Sequence, residues 1–146
     1  MGPPVHMGTT IPALPARSIE LSTRFYVERL GFTVLHTDGH ISVLQRDDAQ
    51  LHLWEAADTS WSGRGDLAAT PVVSGAETFL AGTASCRIEL DSVDGIDALH
   101  AEMAAAAVLH GVSGTGPLDT DHGTREFHVL DLDGNLLTFF VRVQAS

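Results

Sequence analysis

The chain has one cysteine, Cys86, among its 146 residues. No intrachain disulfide can form, so the folded state must rest on a buried apolar core, and a reducing compartment such as the cytoplasm suits it. Basic residues are scarce as well: 8 Lys and Arg stand against 19 Asp and Glu, for a formal net charge of −11. Nucleic acid and anionic membrane surfaces are bound through clustered Lys and Arg, so neither is an expected partner. A cationic ligand is compatible with that charge, and so is plain solubility. Long apolar runs are missing too, with no stretch approaching the ~20 residues that span a bilayer. The opening "MGPPVHMGTT" lacks the basic-then-apolar order of a secretory signal. Residues 1–6 look like a cloning remnant ahead of a native start at Met7, and 7–146 are expected to form a single domain.

What is present is enough for one core, since 44% of the residues are hydrophobic. The segment "IELSTRFYVERL", 19–30, carries apolar residues at helical spacing, with Ser18 as N-cap and Gly31 just past the end. Before it, "TIPALPA" holds Pro12 and Pro15, which suit only an edge or terminal strand. After it come "FTVLHTD", "HISVLQRD" and "AQLHLWEA", three short strands separated by turn-formers. The second half repeats the plan. "SCRIELD" reads as a strand, and "SVDGIDALHAEMAAAAV" as a helix with Ile96, Leu99, Met103 and Ala107 on one face. "TREFHVLD" and "NLLTFFVRV" flank an Asp133-Gly134 turn, and the remaining strand is expected near "AVLHGVS". The two modules, about 10–56 and 84–143, are joined by a long loop, 56–84, that holds Trp61 and Phe79. A connection of that length in a small domain is usually functional or disordered.

The internal βαβββ repeat, with "STRFYVERLGF" after the first strand and "DLDGN" before the last, resembles the vicinal oxygen chelate superfamily of glyoxalases, dioxygenases and antibiotic resistance proteins. The resemblance covers 10–143 and implies an α+β fold in which two βαβββ modules form a cupped mixed sheet. In the metal-dependent members, each module supplies His and Glu ligands from its first and last strands. The matching positions here are Ile11, His52, Ser85 and Thr138, of which only His52 is a good ligand for a divalent ion. A single imidazole on a strand is more often a satisfied polar group than a ligand. No metal or other cofactor is therefore expected. Cys86 alternates away from Ser85 and should face the helix side, where a lone thiol is usually inert.

Among non-metal members, the bleomycin resistance proteins are most similar, through "IPALPARS" and "GTREFHVLDLDGN". The resemblance implies a homodimer that holds a bulky, cationic, bleomycin-like glycopeptide in a cleft between subunits and catalyses nothing. Pro12 stands where that group exchanges its first strand between partners. The tryptophans on which such proteins stack the drug's flat tail are absent at Gly123 and in "SCRIEL". Trp54, Trp61 and Phe79 are candidate substitutes, each of which could equally be core or a loop pin. The expected ligand-binding residues are thus His52, Trp54, Trp61, Phe79, Arg125, Thr138 and Phe140. The alternative is a glyoxalase- or dioxygenase-type enzyme with a displaced metal site.

Overall fold

A computed structural model describes residues 4–56 and 84–143. Its element order is β1 (Ala13–Ala16), α1 (Ile19–Leu30), β2 (Thr33–Thr37), β3 (Ile41–Arg46), β4 (Ala49–Glu55), β5 (Ser85–Glu89), α2 (Gly95–Ala105), β6 (Leu118–Asp119), β7 (Thr124–Leu130) and β8 (Leu136–Arg142). The strands form two four-stranded mixed sheets, ordered β1-β4-β3-β2 and β5-β8-β7-β6. The repeat is thus visible as one topology used twice. In each module the first strand lies parallel to the last, and the other pairings are antiparallel.

Local chemistry explains most of the boundaries. The Ser18 hydroxyl caps α1 by accepting from the Leu21 N–H at 3.2 Å. Gly31 ends the helix at φ 75°, a left-handed backbone that favours glycine, and a Cβ there would meet the Arg46 guanidinium at 2.9 Å and push it aside. β1 is an edge strand, which is how it tolerates Pro15.

The second module departs from expectation in two places. α2 stops at Ala105, and Ala107 turns to φ 59° instead of continuing the apolar face of Ile96, Leu99 and Met103. The segment "AVLHGVS" is not a strand. It contributes one isolated bridge, Leu109 to Val129, and a short 3-10 helix, Gly111–Ser113; the strand that pairs with β7 is Leu118–Asp119. Gly111, Gly114, Gly116 and Pro117 break up the apolar residues there, and Gly116 at φ 132° cannot sit in a ladder.

Each sheet buries the alternate residues that face its helix. Leu51 and Leu53 on β4, Phe127 and Val129 on β7, and Leu137, Phe139 and Val141 on β8 join one hydrophobic cluster drawn from both modules. Cys86 belongs to it, and burial pushes its thiol up to about 11, well away from reactivity.

Side chains lock the seam between modules. The Tyr26 hydroxyl donates to Asp131 at 2.7 Å, Asn135 Nδ2 donates to the Pro15 carbonyl at 3.0 Å, and Arg17 reaches Asp133 at 2.9 Å. The "DLDGN" turn is therefore the surface against which α1 and the end of β1 are held. Arg46 bridges to Glu102 on α2 with bonds of 2.5 and 2.9 Å and also caps the Leu30 carbonyl.

Candidate functional site

With one face of each sheet taken by the core, the functional question moves to the other face, which carries no helix among the described residues. Strand alternation decides its residues. In the first module, His36, Val43, His52 and Ala13 form one row across the sheet, and Ile41, Trp54 and Pro15 form the next. His52 and Trp54 are half-buried on β4. This puts Ala13 rather than Ile11 beside His52; Ile11 lies before the strand begins.

In the second module, His128, Thr138 and Arg87 form one row, and Glu126, Phe140 and Glu89 the next. Arg87, not Ser85, is the cross-strand neighbour of Thr138, because Ser85 pairs with Leu136. Thr138 is 4% exposed, and its hydroxyl is shared with His128 Nδ1 at 2.8 Å. Its place among apolar neighbours is explained by that partner. The Arg87 side chain crosses β8, stacks its guanidinium 4.5 Å from the centre of the Phe140 ring, and donates to both Glu126 oxygens at 2.5 and 3.4 Å. Glu126 also accepts from the Thr124 hydroxyl at 2.7 Å.

Five of the seven residues expected from sequence are described, and four of them lie on these uncovered faces: His52 and Trp54 on one sheet, Thr138 and Phe140 on the other. Arg125 does not join them. It points to the helix side and contacts Asp97 of α2 at 3.2 Å, because Phe127 two residues on is core and fixes the alternation of β7. Trp61 and Phe79 lie outside the described residues. Arg87, Glu126 and His128 were missed. The signal was available: once Phe127 is assigned to the core, Glu126 and His128 must face with Thr138.

The Arg87 guanidinium, followed by the Thr124 hydroxyl, holds the Glu126 carboxyl down at about 2, against its usual 4.5. Between those two values the unfolded chain takes up a proton that the folded chain refuses. The stability this carboxylate supplies is therefore complete above about pH 4.5 and drains away as pH falls toward 2. The stability difference between wild type and Glu126→Gln should shrink across that window, measured by urea unfolding at stepped pH. A difference that stays constant with pH would show that the Arg87 pair does not form.

Among the described residues, no three of His, Cys, Asp and Glu converge closely enough to hold an ion, and His52 has Ala13 and Val43 as its cross-strand neighbours. A separate cleft of about 410 Å³ opens on the helix side at the seam, floored by Leu30, Phe32, Leu99, Met103 and Phe139. None of the five described residues expected from sequence lines it.

Two βαβββ modules, each with a helix-covered face and a second face that bears an aromatic and polar groups and carries no helix among the described residues, define a tandem-module α+β protein. A model of the glyoxalase/bleomycin resistance protein/dioxygenase superfamily matches residues 6–139, and the chain belongs to that superfamily. It is 42% identical over 136 residues to proteins named bleomycin resistance protein from Geobacillus stearothermophilus and Staphylococcus aureus, covering 93% of this chain and 98% of theirs. The crystal structure of a bleomycin-binding protein from the bleomycin producer Streptomyces verticillus, complexed with copper(II)-bleomycin, matches with a TM-score of 0.63 and 26% identity over 97% of this chain and 99% of that one. Among the described residues, no helix is long and apolar enough to cross a membrane.

Proposed function

We propose that the protein sequesters bleomycin, or a similar bulky cationic compound with a planar part, without chemistry and without a metal of its own. The observation that carries this is the end-to-end identity of 42% with proteins named for bleomycin resistance. The open faces agree with it. Trp54 and Phe140 offer aromatic surface, Glu89 and Glu126 offer carboxylates, and a net charge of −11 draws a cation toward the molecule. The ligand lies where the open face of one copy meets that of a second. Half-buried Ile41, Val43, Trp54, Leu136 and Phe140 need cover, and two-fold pairing is the commonest way to provide it.

Calorimetric titration with bleomycin tests the reading. Heat and a change in tryptophan fluorescence should appear together, and affinity should fall as salt screens the acidic surface. Elemental analysis of the ligand-free protein should find no stoichiometric zinc, nickel or iron. Neither heat nor quenching at high micromolar drug would end the bleomycin assignment. One tightly held ion per chain, lost on His52→Ala, would instead support an enzyme.

A further inference from the structure

The Arg87 side chain lies across its own sheet in a way that resembles a bound ligand. Its guanidinium lies over the Phe140 ring, its carbon 4.5 Å from the ring centre, with its fork turned to Glu126. Glu126 is only 9% exposed, and the Thr124 hydroxyl at 2.7 Å fixes the carboxylate's orientation. A buried carboxylate beside an aromatic face is what a planar, fork-shaped cation needs. It gives two parallel N–H···O bonds and a stacking surface, which a tetrahedral ammonium cannot use at once.

Arg87 fills this place from the rim of the sheet, where it can swing out into water. It sits on β5, the edge strand of the sheet, and its side chain is 49% exposed. Among the described residues its guanidinium bonds to Glu126 alone. Released, it regains rotamer freedom and full hydration, so both return when another group takes its seat. We propose that Glu126 and Phe140 form a planar-cation site, filled from within by Arg87, that accepts a guanidinium or amidinium group of a ligand in its place. The inference rests on reading the open face as the ligand face, and it identifies the class of cation that face selects. Arg87 then acts as a built-in competitor that weakens binding of every such ligand.

Benzamidinium, a flat aromatic amidinium, and benzylammonium, its tetrahedral counterpart, are the probes. Each is titrated into wild type, Arg87→Ala, Arg87→Gln and the double variant Arg87→Ala/Glu126→Gln, with amide NMR reporting both fold and binding. Removing Arg87 should tighten benzamidinium binding at least tenfold, leave benzylammonium far behind, and lose the gain when Glu126 is also changed. Arg87→Gln covers the case in which the alanine variant folds poorly. Unchanged or weaker benzamidinium binding in the folded variants would overturn the proposal, as would an equal gain for benzylammonium. Because the probes are not bleomycin, a wild-type protein that ignores the drug would defeat the sequestration reading while leaving this site to be judged on its own result.

Discussion

Asp131→Ala should lower the unfolding free energy by about 3–5 kcal/mol. The carboxylate is 6% exposed and accepts from four donors: the Tyr26 hydroxyl at 2.7 Å, Asn135 Nδ2 at 3.0 Å, and the backbone N–H groups of Asp133 and Asn135, both at 2.9 Å. Each buried donor left without an acceptor costs about 1–3 kcal/mol. Burial raises the Asp131 pKa and, with the Asp131 charge, the Tyr26 pKa, so removing the carboxylate also relieves some desolvation. Four stranded donors outweigh that relief. Asp131→Asn, which keeps one acceptor oxygen, should lose roughly half as much, and urea titration measures both. A loss below about 1 kcal/mol for the alanine variant would mean that water replaces the carboxylate at no cost and that the seam does not depend on it.

Mixing two weakened variants should restore tight binding. If the drug lies between the first-module face of one copy and the second-module face of another, Trp54→Ala and Phe140→Ala damage opposite walls of the same cleft. Each homodimer then carries two damaged clefts and should bind bleomycin 10–100-fold more weakly, on the ~1–3 kcal/mol scale of a lost stacking contact. Unfolding the variants together and refolding them gives mixed dimers in which one cleft holds both substitutions and the other holds neither. High-affinity sites should reappear, at a stoichiometry below that of wild type, in a calorimetric titration. No recovery from a mixture shown by mass spectrometry to contain heterodimers would place each binding site within one copy.

The fold was legible wherever period and punctuation agreed. Helix 19–30 is bounded by Ser18 and Gly31 as its sequence requires, and the strands of the first module fall within the segments that alternation marks. The second module was less legible for a local reason. Glycines and Pro117 in 111–117 dissolve the periodicity, so the short strand Leu118–Asp119, fixed by pairing with Arg125 and Glu126, has no pattern of its own. The candidate site was half legible. His52, Trp54, Thr138 and Phe140 could be placed by counting along single strands, but Arg87 meets Glu126 across an intervening strand, and only the register of two ladders brings them together. Arg125 shows the opposite hazard: a motif that resembles a family's pattern names a residue without naming its face.

The hydrophobic cluster that runs through both modules has a consequence for inheritance. Sequence repeats of this kind are traces of a smaller unit copied and joined. Here the buried cluster draws side chains from both units, and α1 is held by the "DLDGN" turn of the second half. A single module cut from this chain would leave its share of that cluster exposed, at a length where a domain is only marginally stable. The present chain should therefore unfold in one step, and its halves should fold only in each other's company. The unit that was duplicated is no longer the unit that folds.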